Sequence, residues 1–398
     1  MEVGVVGKPN VGKSTYFNAL TLLDAPMAPY PFTTLAPNRG VAAVRAPCPH
    51  VEKGVACTPG NAKCVEGTRW IPVGLVDVPG LVPGAHEGKG LGHKFLDDLR
   101  AADGFVQVVD LSGGTDEEGR VVAPGTQDPA REVEWLETEL VAWLAEILNR
   151  DFQRLARTVD LEGKKIEEFL AERLTGLSIG PVAIAAALRQ LPLDRAHPAR
   201  WTDAERSAFA KVLLAVAKPR IVAANKCDRS TRAAAESLAA AVSPTPTVPT
   251  AADAELTLRR AARAGLLTYR PGDPDFAVPD PTRLNAGQQR ALAEIRQVLS
   301  AWGSTGVQQS LESMVFGRLG LIVVYPVEDE THWTDGRGRV LPDAFLVPRD
   351  TPVRAIAYRV HTELGENFVR AIDGRTHRAL AADHPLPPNA VVRIVARK

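Results

Sequence analysis

A glycine-rich loop near the N-terminus has the residue types and spacing needed to hold phosphate groups. The segment GKPNVGKS is a complete G-x-x-x-x-G-K-[ST] pattern. Its glycines let consecutive backbone N–H groups turn toward phosphate oxygens, Lys13 adds a positive charge at the β- and γ-phosphates, and Ser14 offers a hydroxyl to Mg²⁺. The predicted contacts with a nucleoside triphosphate are Gly7, Lys8, Pro9, Asn10, Val11, Gly12, Lys13, Ser14 and Thr15.

Two further motifs indicate which nucleotide is bound and where its metal lies. In D-x-x-G, Asp77 would hold the Mg²⁺ shell and the Gly80 N–H would bond the γ-phosphate. In N-K-x-D, Asp228 can accept two hydrogen bonds from guanine, whereas adenine has no donors there. Lys226 can lie along the base, and Asn225 can tie this segment to the phosphate loop. The pattern predicts a GTPase.

Two shorter segments complete the predicted site. Pro249-Thr-Ala-Ala stands where GTPases carry a Ser-Ala pair, so we expect the Ala252 backbone N–H to reach guanine O6, with Ala251 in place of the serine. In Tyr30-Pro-Phe-Thr-Thr-Leu, a threonine can coordinate Mg²⁺ and order the segment only in the triphosphate state. We assign that role to Thr34, with Thr33 as the alternative.

A separate group of potential metal ligands lies between residues 47 and 70. Cys48, His50, Cys57 and Cys64 form the pattern C-x-H-x₆-C-x₆-C, and three cysteines with one histidine are an accepted Zn²⁺ ligand set. The spacing is not that of a standard zinc finger, and reduced cysteines in a loop are the alternative. A bound Zn²⁺ would explain how a segment rich in glycine and proline stays ordered.

The elements that must position these motifs are strands followed by helices. Short apolar runs precede the first three motifs, which is typical of buried parallel strands. Gly80 and Asn225 are 145 residues apart, whereas a compact domain of this kind needs roughly 50–60 residues there. Helical spacing in the surplus predicts an antiparallel helical hairpin, with apolar positions at Val133, Leu136, Leu140, Trp143 and Ile147, then at Ile166, Leu170, Leu174 and Leu177.

The last 79 or so residues have the pattern of a small mixed domain. Leu321 to Val327 reads as a strand, Thr351-Pro352 opens a helix, and Phe368–Ile372 and Val391–Val395 read as further strands. This order predicts a β-grasp fold.

Composition excludes several classes of protein. The chain has 398 residues, with 47 basic and 47 acidic side chains, which argues against a nucleic-acid binder driven by bulk charge. Its apolar runs are too short for a membrane helix, and its N-terminus lacks the pattern of a secretory signal. We therefore expect a cytoplasmic α/β protein with no membrane contact.

The motifs together resemble those of the Obg-related GTPases. GKPNVGKS, YPFTTL, DVPGL and GKGLGHKFL are most similar to the YchF or Obg-like ATPase branch, in its archaeal form. The resemblance implies α/β architecture: a Ras-like P-loop G domain (residues 1–125 and 219–319, with an insertion at 47–70), an inserted helical coiled-coil arm (126–218) and a C-terminal β-grasp domain of the TGS type (320–398). Other members of the branch often have a degraded N-K-x-D motif and accept ATP, so relaxed base choice is an alternative.

The resemblance also bears on catalysis. Leu81 stands where many small GTPases have a water-orienting glutamine, and leucine cannot hydrogen-bond water. Water activation must then come from elsewhere, with His86, Glu87 and His93 as candidates, and relatives often have histidine at the position of Gln107. The predicted catalytic set is Lys13, Thr34, Gly80 and His86. Asn10 could also hold a monovalent cation such as K⁺ beside the phosphates.

The expected partners are a guanine nucleotide with Mg²⁺, and the ribosome, rRNA or tRNA. The arm and the TGS-like domain are the segments that the resemblance assigns to RNA contact, and the arm from residue 150 to 220 has 13 basic against 9 acidic residues. A solvated helix surface would explain that excess equally well. We expect a monomeric GTP-hydrolysing switch associated with translation; the alternative from another class is a nucleotide-gated RNA-binding module with negligible turnover.

Overall fold

The computed structural model describes residues 1–22, 39–78, 100, 102–150, 152–163 and 165–397. These residues divide into two compact units. The first contains residues 1–22, 39–40 and the described part of 74–314. The second contains residues 41–73 and 315–397.

Seven strands form the larger sheet, in the order β2-β4-β1-β5-β6-β7, with β3 beside β4. Strand β1 pairs in parallel with β4 and β5, and β5, β6 and β7 continue the parallel run. The carboxyl ends of these strands share one edge, and in the register of β5 and β6 Asp110 lies opposite Asn225. The strands are β1 Glu2–Val6, β2 Arg39–Pro47, β3 Lys63–Val65, β4 Thr68–Asp77, β5 Gly104–Asp110, β6 Arg220–Asn225 and β7 Thr247–Pro249.

Helices of the first unit pack on the strands of that unit. Those that follow the nucleotide motifs begin at the strand ends, as βα units require. The described helices of this unit are Lys13–Thr21, Pro129–Asn149, Phe152–Glu162, Ile166–Leu174, Pro181–Arg189, Asp203–Ala217, Arg232–Ala241, Ala252–Arg263, Ala286–Trp302 and Val307–Glu312, with 3₁₀ turns at Thr175–Leu177, Pro198–Arg200, Cys227–Arg229 and Pro281–Arg283.

The inserted region contains more helices than the hairpin predicted from the sequence. The predicted apolar positions Val133, Leu136, Leu140 and Trp143 are buried in Pro129–Asn149, as are Ile166, Leu170, Leu174 and Leu177 further on. Five helices, however, occur in the described part of residues 129–217. Proline at the first turn of Pro181–Arg189, and the capping box of Thr202 with Glu205, start helices beyond the predicted pair. Their apolar faces form one core with Val6, Val76 and Phe105 of the sheet.

The C-terminal residues of the second unit form a five-stranded sheet with the order β11-β10-β12-β8-β9. Strands β8 and β12 are parallel and the other pairs antiparallel. Ile356 of the helix Val353–Val360 packs into the same core as Val324 and Val392. The strands are β8 Leu321–Val327, β9 Phe345–Pro348, β10 Phe368–Asp373, β11 Ala379–Leu380 and β12 Ala390–Ala396, and the helices are His50–Lys53, Val353–Val360 and Thr362–Glu366; a π-helical turn spans Ser313–Arg318.

The predicted fold class is confirmed: a P-loop G domain with additional helices and a C-terminal mixed sheet. Within the described ranges, no helix combines the length and the apolar character that a membrane crossing requires.

Candidate nucleotide-binding site

The phosphate loop has the backbone conformation that its glycines predict. Gly7 has φ 152° and Gly12 has φ 95°, values that L side chains rarely adopt. A Cβ at Gly12 would also lie 2.3 Å from Asn225 Nδ2, so this position admits no side chain. The helix Lys13–Thr21 begins directly after Gly12, and its free N–H groups therefore face the loop.

This loop lines a cavity of about 630 Å³, a size that suits a nucleotide. Of the predicted contacts, the lining includes Lys8, Pro9, Asn10, Gly12, Lys13, Ser14, Thr15, Asn225, Lys226, Asp228 and Ala252. Arg229 and Asp253 line it as well, and sequence reasoning missed both. Gly7, Val11, Asp77 and Ala251 were also predicted as contacts but are not among the lining residues. Val11 and Ala251 are buried, and Asp77 contacts the lining residues Lys13 and Ser14.

One end of the cavity has the oxygen ligands that Mg²⁺ prefers. Asp77 ends β4, and its two carboxylate oxygens lie 3.2 Å from Lys13 Nζ and 3.2 Å from Ser14 Oγ. A hydroxyl and a carboxylate held together in this way can share a hydrated magnesium ion. Thr34, Gly80 and His86, together with Thr33, Leu81, Glu87 and His93, lie outside the described residues.

At the other end, Asn225 joins three segments. Its Nδ2 donates to the Val11 carbonyl at 2.8 Å, and its Oδ1 accepts from the Ala252 N–H at 3.0 Å and from Thr250 Oγ1 at 3.4 Å. The N-K-x-D segment is therefore attached to the phosphate loop. The Ala252 N–H that we expected at guanine O6 is engaged by Asn225 in this structure, and the Ala251 N–H donates to the Thr305 carbonyl.

The Asp228 carboxylate remains available to a ligand. Its side chain is 33% exposed at the cavity, with Arg229 Nε 3.6 Å away. A carboxylate in this setting accepts hydrogen bonds and offers none. It therefore suits a base edge that carries adjacent N–H donors.

Lys226 has a second role that the sequence did not predict. Its Nζ donates to the Asn10 carbonyl at 3.0 Å, to Asp110 Oδ2 at 2.8 Å and to Thr115 Oγ1 at 3.2 Å. Burial alone would raise the pKa of Asp110, but the hydrogen bonds from Lys226, Ser112 and Thr115 hold the pKa of this carboxyl below its usual range. The position of Asp110 at the end of β5, beside Asn225, is the signal by which this contact could have been predicted.

A buried polar group supports the loop from behind. Lys8 Nζ lies 3.0 Å from Glu132 Oε2 and donates to the Thr115 carbonyl at 2.7 Å. Burial raises the pKa of Glu132 to about 7, although Lys8 acts in the opposite direction. Gln107 is fully buried, and its Nε2 donates to the Glu132 carbonyl at 3.1 Å.

Asn10, which we considered for a monovalent cation, donates through Nδ2 to the Gly119 carbonyl at 2.7 Å.

In the second unit, the structure brings together the four residues predicted to hold zinc. The ligand atoms of Cys48, His50, Cys57 and Cys64 all lie within 4.8 Å of one another. Cys64 Sγ is 3.6 Å from His50 Nδ1. Burial raises the pKa of the Cys57 and Cys64 thiols.

Family models match most of the described chain. Residues 2–150 match the 50S ribosome-binding GTPase model, residues 223–329 match the G4 motif-containing domain of Obg-like GTPases of the YGR210-like type, and residues 338–396 match the TGS domain.

Two of the similar proteins match over nearly the whole length, and a third matches over about half. The GTP-binding protein MJ1332 of Methanocaldococcus jannaschii is 45% identical over 99% of this chain and 98% of its own. A GTP-binding protein of Pyrococcus horikoshii has a crystal structure that covers 100% of both chains with TM-score 0.82 and 35% identity. The ribosome-binding ATPase YchF of Haemophilus ducreyi is 36% identical over 49% of this chain and 50% of its own. The chain thus belongs to the YchF/Obg-like family of GTP-binding proteins.

Proposed function

We propose that this protein hydrolyses GTP to GDP and phosphate as a molecular switch that acts with the ribosome in the cytoplasm. The observation that carries the proposal is that Lys13 and Ser14 of the phosphate loop and Asp228 of the N-K-x-D segment line one cavity. Asn225 and Lys226 attach the two segments to each other through direct hydrogen bonds.

Preference for guanine follows from the Asp228 carboxylate. Guanine presents N1–H and a 2-amino group side by side, and both can donate to one carboxylate. Adenine has no donor at these positions, so its binding would leave the acceptor without a partner and cost affinity. We expect GTP to bind at least about 10-fold more tightly than ATP, which corresponds to about 1.4 kcal/mol.

Hydrolysis requires compensation of charge on the γ-phosphate and an oriented water. Lys13 supplies one positive charge, and Ser14 with Asp77 would hold Mg²⁺, which supplies further compensation when bound. We propose Thr34 and the Gly80 N–H as the γ-phosphate contacts and His86 as the water-activating group. Leu81 cannot replace a glutamine in that role, so the unassisted rate should be slow.

The ribosome is the proposed partner. Support comes from the match to a 50S ribosome-binding GTPase model and from the name of the Haemophilus relative. The inserted arm (residues 126–218) and the TGS-like domain (320–398) are the proposed RNA-contacting segments. We propose that the protein acts as a monomer and that K⁺ beside Asn10 is a second means of activation.

Calorimetry with GTP and ATP tests base choice. Asp228→Asn should weaken GTP binding and favour xanthosine triphosphate, because the amide can donate to the 2-oxygen of xanthine. Asp253→Asn is the matched control: it changes another cavity-lining carboxylate and should leave the preference for guanine intact. Equal affinities of the unsubstituted protein for GTP and ATP would contradict the proposal.

Phosphate release at saturating GTP tests the switch. A ribosome titration should raise turnover at least about 10-fold, which needs only about 1.4 kcal/mol off the barrier. Lys13→Ala should abolish both the basal and the stimulated rate. Removal of residues 320–398 should reduce stimulation; because it also removes the hydrogen-bond partners of Thr58, Gly60 and Arg69, the basal rate of the truncated chain is measured beside it. A flat titration would reject the ribosome as activator, and a parallel titration of K⁺ against Na⁺ shows whether a monovalent cation acts instead.

A further inference from the structure

We infer that Cys48, His50, Cys57 and Cys64 form a structural Zn²⁺ site that fastens residues 48–69 onto the C-terminal segment of the same unit, with Arg69 as its charge-balancing neighbour. The inference concerns the second unit alone and does not depend on GTP hydrolysis. Its basis is the geometry of the four ligands and the environment of one buried arginine.

The ligand cage is nearly assembled. Tetrahedral zinc with Zn–S bonds of about 2.3 Å places its sulfur ligands about 3.8 Å apart. All four ligand atoms lie within 4.8 Å of one another, and the Cys64 Sγ to His50 Nδ1 distance is 3.6 Å. Contraction of the longer separations by about 1 Å would complete the polyhedron. Three thiolates and one imidazole favour zinc over magnesium or calcium, which prefer oxygen ligands.

The buried side chain of Arg69 beside Cys48 supports the site independently of the ligand geometry. Its side chain is fully buried, and Nη2 lies 3.5 Å from Cys48 Sγ while donating to the Leu341 carbonyl at 2.8 Å. Among the described residues, Nε and Nη1 have no hydrogen-bond partner. A buried cation is costly unless negative charge lies near it, and the Asp343 carboxylate is one such charge, although it makes no hydrogen bond to Nε or Nη1. Three thiolates with Zn²⁺ carry one net negative charge, and Arg69 neutralises it.

The segment that carries the ligands is hydrogen-bonded to residues 340–344. The Thr58 N–H donates to the Val340 carbonyl at 2.9 Å, and the Gly60 N–H donates to the Pro342 carbonyl at 2.6 Å. The Asn61 side chain donates to and accepts from the backbone of Ala344, both at 3.0 Å. Since this segment has little apolar core of its own, a metal that fixes its ligands also fixes these donors.

Glu52 and Lys53 extend the same attachment. Glu52 pairs with Arg375, with Oε1 2.5 Å from Nε. Lys53 donates to the Thr331 carbonyl at 2.6 Å, and its ammonium lies 4.8 Å from the centre of the Trp333 ring. Both residues belong to the short helix that starts at the ligand His50. Zinc at His50 would therefore fix the position of this helix.

Metal analysis of the full chain, purified under reducing conditions with zinc in the growth medium, tests the site. We expect one zinc per chain in the unsubstituted protein and in Cys227→Ser, which changes the fourth cysteine, and loss of zinc in Cys57→Ser and Cys64→Ser. Iron in place of zinc, no zinc in the unsubstituted protein, or zinc retained in both cluster variants would overturn the site.

A titration keeps the test decisive if the cluster variants do not fold. Co²⁺ added to the reduced, metal-free chain should give thiolate charge-transfer and tetrahedral d–d absorption, and zinc should abolish both. Arg69→Met should lower zinc affinity by about 10- to 100-fold, with partial recovery in Arg69→Lys. Absence of the cobalt bands, or unchanged affinity in Arg69→Met, would contradict the respective part of the inference.

Hydrogen exchange tests the fastening role. Chelation of zinc should expose the Thr58 and Gly60 amides to exchange and leave the Ala252 amide of the first unit unchanged. If zinc is present but the Thr58 and Gly60 amides stay protected from exchange after its removal, the fastening role is refuted.

Discussion

Asn225→Ala should lower the free energy of unfolding of the first unit, because it removes hydrogen bonds within the protein as well as a contact with the ligand. Asn225, Val11 and Ala252 are all buried. Asn225 donates to the Val11 carbonyl at 2.8 Å and accepts from the Ala252 N–H at 3.0 Å. Each unpaired buried group costs about 1–3 kcal/mol, so the two together give about 2–6 kcal/mol. Asn225 also lines the cavity, so water can reach part of the gap; we therefore expect the lower half of that range.

Two variants separate the hydrogen bonds of Asn225. Asn225→Asp keeps an acceptor for the Ala252 N–H but places an oxygen 2.8 Å from the Val11 carbonyl, so it should lose only the link to the phosphate loop. Thr250→Val is the matched control, because it removes only the 3.4 Å contact and should cost less than about 1 kcal/mol.

Three assays test the effect of Asn225→Ala. Calorimetric unfolding of the nucleotide-free chain gives the loss of stability, hydrogen exchange follows the Ala252 amide, and GTP titration gives the affinity, which should fall at least about 10-fold in Asn225→Ala. A variant whose stability lies within about 0.5 kcal/mol of the unsubstituted chain, with the Ala252 amide still protected, would show that the three segments are held together by other contacts.

Three further predictions concern buried charges of the same unit. Glu132→Gln should remove a pH dependence of stability. The pKa of Glu132 is raised to about 7 in the folded chain from 4.5, so the folded chain binds this proton more tightly than the unfolded chain. Unfolding titrations of the unsubstituted protein should therefore show the free energy of unfolding falling as pH rises between those values and levelling off above them. Lys226→Met should weaken GTP binding about 10-fold in calorimetry, because Asp110 and Asn10 lose the ammonium that joins them. Glu255→Ala should cost about 3–5 kcal/mol in urea unfolding, since it leaves Arg259 buried without its carboxylate at 2.6 Å, whereas the exposed Asp280→Ala should cost far less.

The sequence predicted the parts of the site that depend on local pattern. The phosphate loop, Asp77 and Asn225 each follow an apolar strand, and parallel strands bring their carboxyl ends to one edge of the sheet. The role of Asp110 and the Lys8–Glu132 ion pair were missed because they arise from contacts between segments far apart in the chain.

Other differences have equally physical causes. The helical arm was predicted as a hairpin because apolar spacing is insensitive to breaks at proline and glycine, whereas the structure starts further helices at Pro181 and directly after Thr202. The zinc ligands could be proposed from residue types alone. Arg69, which lies five residues beyond the last ligand and carries no motif, could not.

In the proposed function, base recognition and phosphate sensing belong to different residues of this site, although one hydrogen-bond network joins them. Asn225 and Lys226 donate to the Val11 and Asn10 carbonyls of the phosphate loop, so the two halves cannot shift apart without breaking these hydrogen bonds. If the protein is the proposed switch, we expect its response to the γ-phosphate to arise around Asp77, which contacts Lys13 and Ser14 but neither Asn225 nor Lys226 among the hydrogen bonds described for it. Mutations at Asp228 should therefore change which nucleotide binds without changing the chemistry, and mutations at Lys13 should stop the chemistry for every nucleotide that binds.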